Sequence, residues 1–342
     1  QRVARTCPVK APAFWSADPA RPALAARLLA PAAALWRLGG WLRARRARPY
    51  RAAIPVLCVG NVTAGGAGKT PMVALVLDRL AARGVAAHVL MRGHGGRLGR
   101  TAPHRVDPAQ DSVAEVGDEA LLHATLAPTW VARDRAAGAR AARAAGAEVI
   151  VMDDGLQNPG LHHDAAIVMI DAGQGLGNGR LIPAGPLREP ARPRLAAAAL
   201  TVLVGEAPAR ARALATWAPI AAADPAAARL VPRPTGLALD RVRVVAFAGI
   251  GRPEKFFATL EAMGARLART EAFPDHHVYP DAVIRRLVAE ARGLNALLVT
   301  TEKDAVRLAP ALRREVVVVP VALELEAPGR LEAVLDRLMA AR

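Results

Sequence analysis

The chain has 342 residues, of which 53% are hydrophobic and 22% charged, so we expect a globular protein with room for two domains rather than a disordered one. Its net charge of +16 suits nucleic acid, an anionic membrane surface or a phosphorylated substrate as partner. The two cysteines, Cys7 and Cys58, exclude a disulfide framework and a cysteine metal site, and they fit a reducing cytoplasm.

Between residues 22 and 51, leucines recur at helical spacing and arginines follow them. The leucines on one predicted face are Leu24, Leu28, Leu35, Leu38 and Leu42, with Trp36 and Trp41 beside them. We expect Pro31 to kink or divide this helix. The uncharged runs are too short to cross a bilayer, and there is no signal-peptide pattern. The alternatives are an interfacial helix on an anionic membrane, which the arginines favour, and an amphipathic helix packed on the core.

The next segment has the order strand, glycine-rich loop, helix. An apolar stretch at residues 54–59 predicts the strand, and residues 71–80 have helical spacing. The loop between them consists of Thr63, Ala64, Gly65, Gly66, Ala67, Gly68, Lys69 and Thr70. Such a loop can turn its backbone N–H groups around phosphate oxygens, with the lysine on the terminal phosphates and the threonine hydroxyl on magnesium. The alternative is a flexible glycine turn, but the lysine and threonine stand where the helix begins.

Two further segments place polar residues at the ends of predicted elements. Residues 85–91 predict a strand, which is followed by a basic loop that contains Arg92 and His94. This loop either lies at the sheet edge where ligands bind, which makes the two residues site candidates, or is a plain connection. Asp118 and Glu119 open a helix, where acidic residues are also favoured for structural reasons. A short strand at 129–132 and an alanine-rich helix at 134–145 follow.

A second chemical signal is the apolar strand at residues 148–154, which ends in Asp153 and Asp154. A carboxylate at this place holds magnesium in enzymes with a phosphate-binding loop. Adjacent strand residues point to opposite sides, so only one of the two aspartates is expected to face the metal. Strands at 165–171 and 198–204 flank a segment at 173–190 that is rich in glycine and proline. Long irregular segments inside a compact domain are usually functional, and Arg180 and Arg188 are candidates for binding an anion there.

We predict a helix and a linker at 205–240, and a second α/β run from residue 242 with helices near 254–263, 281–292 and 330–341. The expected fold class is a mostly parallel α/β sheet of the phosphate-loop type with helices on both faces, plus a smaller C-terminal α/β domain. The expected division is an N-terminal amphipathic segment at 1–51, a kinase-like core at 52–235 and a C-terminal domain at 236–342.

Several motifs in order resemble one family, the tetraacyldisaccharide 4′-kinases of lipid A biosynthesis. They are PAFW at 12–15, VGNVTAGGAGKTP at 59–71, VGDE at 116–119, DDGLQ at 153–157, GNGRLIPAGPLREP at 177–190, FAGIG at 247–251, DH at 275–276 and TEKDA at 301–305. The resemblance implies a peripheral enzyme at the cytoplasmic face of the bacterial inner membrane. It implies transfer of the γ-phosphate of ATP, with Mg²⁺, to the 4′-hydroxyl of lipid A disaccharide 1-phosphate, and no obligate protein partner.

The resemblance also assigns roles to residues. Asp118 corresponds to a general base that is paired with His276, and Lys69 to the phosphate-binding lysine. Magnesium would be arranged by Thr70, Glu119, Asp153 and Asp154. Substrate would be contacted by Arg92, His94, Asn158, Arg188 and Glu189. The chain departs from the usual family pattern twice, with Asn158 in place of histidine and His94 in place of tyrosine.

Two other functions fit parts of the sequence. A membrane-recruited ATPase switch would need neither the long glycine and proline segment nor a histidine from a second domain. A nucleic-acid-binding protein would suit the charge, but aromatic residues make up only 4% of the chain and no DNA- or RNA-binding motif is present. We therefore expect no nucleic acid as partner.

Overall fold

The computed structural model describes residues 11–340, so residues 1–10, which include Cys7, and residues 341–342 lie outside the description. The chain divides into a larger unit, which contains residues 11–230 and 323–340, and a smaller unit of residues 231–322. This differs from the expected division at both ends. Residues 11–51 belong to the larger unit. The last helix belongs to it as well, because its apolar residues, such as Leu331 and Leu335, pack in the core of the larger unit.

The strands are numbered along the chain. They are β1 (Val56–Asn61), β2 (Ala87–Met91), β3 (His104–Arg105), β4 (Thr129–Val131), β5 (Val149–Asp153), β6 (Ala165–Asp171), β7 (Leu200–Val204), β8 (Ala226–Pro232), β9 (Arg243–Ala248), β10 (Arg266–Ala272), β11 (Leu297–Thr301), β12 (Val317–Val319) and β13 (Val321–Leu325).

Within residues 11–340, nine strands form one sheet in the order β13-β8-β7-β6-β1-β5-β2-β4-β3. The pairs from β8 to β4 are parallel, and β3 is antiparallel to its neighbour β4. The strand before the phosphate-loop motif, β1, is central and has β6 on one side and β5 on the other. Val59 of β1 is paired with Asp153 of β5, so the motif and the acidic strand end meet at the carboxyl edge of the sheet.

The helices are also numbered along the chain. They are α1 (Leu24–Leu28), α2 (Ala30–Arg46), α3 (Lys69–Ala82), α4 (Val113–Val116), α5 (Asp118–Ala124), α6 (Arg135–Ala144), α7 (Ala191–Ala196), α8 (Ala207–Thr216), α9 (Ala218–Ala222), α10 (Pro253–Ala262), α11 (Asp281–Gly293), α12 (Glu302–Ala305), α13 (Pro310–Arg313) and α14 (Gly329–Ala340), with a 3₁₀ turn at Ala13–Ser16.

Helices cover both faces of the large sheet, which confirms the expected fold class. Successive residues of β1 point to opposite faces: Leu57 packs with apolar residues of α3 and α14, whereas Cys58 packs with residues of α6 and α7. The strand is buried on both sides, so its sequence is a continuous apolar run rather than an alternating one. Cys58 is a buried free cysteine in this core.

The segment predicted as a helix and linker at 205–240 is more regular than expected. It contains α8, α9 and strand β8, and β13 is a further strand that sequence patterns missed. Both strands lie near one edge of the large sheet, where the burial pattern is weak. Only Ala226 and Ala228 of β8 are buried, so the apolar signal that identifies a central strand is absent.

The smaller unit has a parallel sheet in the order β10-β9-β11-β12. Helix α11 packs on one face, where Leu287 and Ile284 meet Phe247, and α10 packs on the other face through Phe256 and Leu260. The helices predicted near residues 254–263 and 281–292 are therefore present, as α10 and α11.

The N-terminal helices leave their apolar residues at the surface. The predicted division occurs at Leu29, two residues before Pro31, which lies in the first turn of α2. Leu24, Leu28 and Leu35 are each at least 70% exposed, and Trp36 and Trp41 are about half exposed. Among residues 11–340, no helix combines the length and the hydropathy needed to cross a membrane.

Candidate active site

The glycine-rich loop connects β1 to α3 as predicted, and its geometry is set by a buried asparagine. Asn61 at the end of β1 is fully buried, and its amide nitrogen donates to the carbonyl of Gly65 at 3.0 Å. The Asn61 side-chain oxygen accepts from Nζ of Lys69 at 3.3 Å. Gly68, directly before α3, has φ +81°, a left-handed conformation that favours glycine. One asparagine thus holds the loop backbone and the loop lysine together.

The acidic strand end provides two carboxylates that point in different directions, as predicted for adjacent residues. Asp154 has a left-handed backbone with φ 56° and is partly exposed. Its oxygens accept from one guanidinium nitrogen of Arg188 at 2.7 and 2.9 Å, and Nζ of Lys69 lies 3.9 Å away. Asp153 instead faces the interior, where its Oδ2 lies 2.8 Å from Nε2 of His123.

The glycine and proline segment folds against the phosphate loop. The backbone N–H of Ala64 donates to the carbonyl of Pro186 at 2.8 Å, and the N–H of Arg188 donates to the carbonyl of Val62 at 2.8 Å. The side chain of Arg188 therefore reaches Asp154 from a backbone that is itself attached to the loop. The segment brings one predicted site residue, Arg188, next to two others, Lys69 and Asp154.

The next residue, Glu189, is held within the protein. Its carboxylate accepts from Arg194 at 2.8 Å and from the amide of Gln157 at 2.7 Å. The same amide donates to the carbonyl of Asn61 at 3.2 Å. Asn158 forms a local turn, in which its side-chain oxygen accepts from the N–H of Gly160 at 2.9 Å. The contacts of Glu189 and Asn158 shape the edge of the site.

Asp118 and Glu119 form the first turn of α5, as the sequence predicts. Asp118 is only 5% exposed, and its Oδ1 accepts from the N–H of Glu119 at 2.9 Å. The basic loop after β2 packs against this helix start: a Cβ atom at Gly117 would lie 2.5 Å from the carbonyl oxygen of His94. The loop that carries Arg92 and His94 therefore lies beside Asp118, and both of these side chains are exposed.

His276 belongs to the smaller unit and lies on a turn held by a buried network. Its backbone has φ 56°, and its N–H donates to the carbonyl of Gly249 at 3.2 Å. The carboxylate of Asp304 accepts from the N–H of Gly249 at 3.0 Å and from the hydroxyl of Tyr279 at 2.8 Å. Burial, together with the nearby Asp304 carboxylate, raises the pKa of Tyr279 above its ordinary value, so this hydroxyl remains a donor.

Burial also sets the chemistry of two groups behind the acidic strand end. It raises the pKa of the Cys58 thiol to about 12, so this cysteine is not a nucleophile. It lowers the pKa of Arg135, which is 4% exposed, to about 10, and nearby Arg92 contributes in the same direction. The charges of Asp153 and Asp154 oppose this shift, so the acidic strand end partly compensates a buried cation.

The sequence profile described as LpxK, tetraacyldisaccharide-1-P 4′-kinase, matches residues 25–340. The chain belongs to the tetraacyldisaccharide 4′-kinase family. A tetraacyldisaccharide 4′-kinase of Rhodospirillum centenum is 51% identical over 338 residues, which cover 98% of each chain. One of Dinoroseobacter shibae is 50% identical over 331 residues, which cover 96% of this chain and 98% of the other.

The fold of the family is also recognised in three dimensions. The crystal structure of LpxK from Aquifex aeolicus in complex with ATP has a TM-score of 0.69 to this chain at 23% identity. The similarity covers 92% of this chain and 99% of that one. At this identity the likeness shows the fold. The family membership makes the chain a kinase.

Sequence reasoning missed several residues that organise the site. Asn61 and Gln157 lie inside motifs that carried the family resemblance, but no side-chain role had been given to them. The same is true of Asp304, which lies in the motif at 301–305. His123 and Arg194 had no local signal, because a single histidine or arginine in an ordinary pattern reveals its partner only when distant segments meet.

Proposed function

We propose that this kinase transfers the γ-phosphate of ATP to the 4′-hydroxyl of tetraacyldisaccharide 1-phosphate at an anionic membrane surface. One observation carries the proposal. Lys69, at the start of α3, is held 3.3 Å from Asn61 and 3.9 Å from Asp154, at the edge where the phosphate loop and the acidic strand end meet. A fixed lysine beside backbone donors and carboxylates is what transfer of a phosphoryl group requires.

ATP and Mg²⁺ both suit the residues at this edge. The loop from Thr63 to Thr70 supplies backbone donors and a helix N-terminus for phosphates. Asp153 has a buried Oδ1 with no hydrogen-bond partner among residues 11–340, which a cation or its water would satisfy. No group of three His, Cys, Asp or Glu residues in that range is arranged to hold a metal alone, so phosphate oxygens and water would complete the coordination.

We assign the magnesium ligands to Thr70, Asp153, Asp154 and Glu119, directly or through water. When bound, the ion would neutralise charge on the phosphates. Lys69 then binds the terminal phosphates, while Arg188 keeps Asp154 in place. The pair formed by Arg188 and Asp154 is partly exposed, so it can rearrange when the nucleotide binds.

Asp118 is the proposed general base, which accepts the proton of the sugar hydroxyl. Its position in the first turn of α5 and its low exposure suit a carboxylate that acts in a restricted site. His276 is the second residue that we propose as catalytic. The exposed side chains of Arg92 and His94, on the loop beside Asp118, are proposed to contact the phosphorylated sugar, with Asn158, Arg188 and Glu189 shaping its binding site.

The N-terminal helices are proposed to bind the cytoplasmic face of the inner membrane. Their exposed leucines can enter the acyl region, while the arginines of α2 contact anionic headgroups. The indole N–H of Trp36 donates to the carbonyl of Arg188 at 3.0 Å, which connects α2 directly to the active-site segment. This contact would keep a membrane-embedded acceptor near the phosphate loop.

Single-turnover transfer of labelled γ-phosphate to the lipid disaccharide in detergent micelles tests the proposal. We expect wild type to label the lipid, and Asp118→Ala and Lys69→Ala to lose most of the rate. Asp281→Ala is a control, because Asp281 is also in the first turn of a helix, α11, but is exposed and paired with Arg285. ATP hydrolysis by wild type without a lipid product would instead indicate a membrane-recruited ATPase switch.

A further inference from the structure

A histidine and an aspartate form a buried pair behind the phosphate loop. The His123 side chain is 0% exposed and that of Asp153 is 1% exposed, and their contact atoms, Nε2 and Oδ2, are 2.8 Å apart. The two residues are 30 positions apart in the chain, on α5 and at the end of β5. A buried polar pair of this kind is conformationally restricted, because packing holds both partners.

The chemistry of the two groups fixes the direction of the hydrogen bond. An ionised carboxylate only accepts, so the proton between the two atoms lies on Nε2 of His123. The bond satisfies Oδ2 of Asp153 and leaves Oδ1, which is buried and has no partner among the described residues. Leaving such an oxygen unsatisfied is unfavourable, so it is suited to a ligand.

Helix α5 connects this pair to the proposed base. Asp118 and Glu119 begin the helix and His123 lies in its last turn. The helix packs on strands β2 and β4 and on α3, which begins with Lys69. One short, packed helix thus carries the proposed base and the group that holds Asp153.

We propose that His123 is a positioning residue: its Nε2–H holds Oδ2 of Asp153 so that Oδ1 is presented to the magnesium of the nucleotide complex. The inference rests on the proposed role of Asp153 in arranging magnesium. The partner of a metal-binding carboxylate typically changes metal affinity by about 10- to 100-fold when it is removed. A purely structural pair would affect stability and leave metal affinity unchanged.

The test is the affinity for Mn²⁺, measured by electron paramagnetic resonance with a non-hydrolysable ATP analogue bound. His123→Leu removes the donor, and His123→Gln keeps a donor at a similar reach. We expect His123→Leu to weaken Mn²⁺ binding by about 10-fold or more. We expect His123→Gln to keep most of the wild-type Mn²⁺ affinity. In an Asp153→Asn background, His123→Leu should have little further effect.

His88→Leu is the matched control. His88 is also a buried histidine, 5% exposed, and its Nδ1 accepts from the indole N–H of Trp130 at 3.3 Å, away from the acidic strand end. We expect this variant to lose stability but keep Mn²⁺ affinity within about two-fold of wild type. If His123→Leu does not fold, His123→Asn replaces it, because the shorter asparagine amide cannot reach Oδ2.

Wild-type Mn²⁺ affinity in a folded His123→Leu or His123→Asn variant would overturn the inference, even if the melting temperature falls. The inference would also be overturned if His88→Leu weakened Mn²⁺ binding as much as His123→Leu does. The result of this Mn²⁺ binding test can be distinguished from the result of the test of the proposed function. A wild-type protein that binds Mn²⁺ with the nucleotide but labels no lipid would refute the proposed acceptor and leave the role of His123 intact.

Discussion

Replacing Asn61 by leucine, which is similar in size but has no polar atoms, should weaken both the fold and the use of ATP. The substitution removes a neutral hydrogen bond to Gly65 and a charge-assisted one from Lys69. The first contributes about 1 kcal/mol and the second about 1.5–3 kcal/mol, so the free energy of unfolding should fall by about 2.5–4 kcal/mol. Leucine has the same number and branching of side-chain heavy atoms as asparagine, so it keeps the shape of this fully buried side chain.

The part of this loss that concerns Lys69 should also appear in catalysis. About 1.5–3 kcal/mol corresponds to a decrease of about 10- to 150-fold in kcat/KM for ATP. The assay is steady-state phosphorylation of the lipid disaccharide at varied ATP, together with denaturant unfolding. In the smaller unit, Thr300→Val removes one buried hydrogen bond, from Oγ1 to the carbonyl of Phe247 at 2.8 Å, and should reduce stability alone. Unchanged kcat/KM for ATP in folded Asn61→Leu would refute this account of how Lys69 is held.

Three other changes have expected outcomes. Arg188→Gln removes the charge-assisted contacts to Asp154 and should lower single-turnover transfer by about 10-fold or more, with KM for ATP as the second readout; an unchanged rate would contradict the role of this arginine. Leu24→Asp with Leu28→Asp should reduce sedimentation with anionic vesicles by at least about 10-fold at an unchanged melting temperature, because both side chains are over 70% exposed; equal sedimentation would exclude α1 as a membrane contact. Burial, with Arg194 contributing, lowers the pKa of His163 from 6.5 to about 4. The folded state therefore binds a proton at His163 less readily than the unfolded chain does. The contribution of neutral His163 to the free energy of unfolding is fully present above pH 6.5 and is lost as the pH falls towards 4. Replacing His163 by glutamine should reduce the slope of the free energy of unfolding against pH in that window by up to about 1.4 kcal/mol per pH unit. An unchanged slope would refute the assignment of this pH dependence to His163.

The phosphate site could be predicted from local patterns because each of its parts is a short, continuous stretch. A buried strand of a parallel sheet is a run of apolar residues, and such strands end at one edge of the sheet. The glycine loop after β1 and the two aspartates at the end of β5 therefore had to lie near each other, and the pairing of Val59 with Asp153 shows that they do. The fold class and the helices around this edge follow from the same periodicities.

Side-chain partners and the course of the chain's end were decided only by tertiary packing. Asn61 receives its role from Lys69 and from Gln157, which is 96 residues away, and His123 receives its role from Asp153. Strand β13 and helix α14 return to the larger unit because Leu323 and Leu335 complete its core, although the sequence before them forms a separate unit. A hydrophobic period determines which face of an element is buried, but the element that covers this face is chosen by all competing contacts together. For this reason the chemistry at the sheet edge could be predicted from the sequence, and the residues that hold this chemistry in place required the structure.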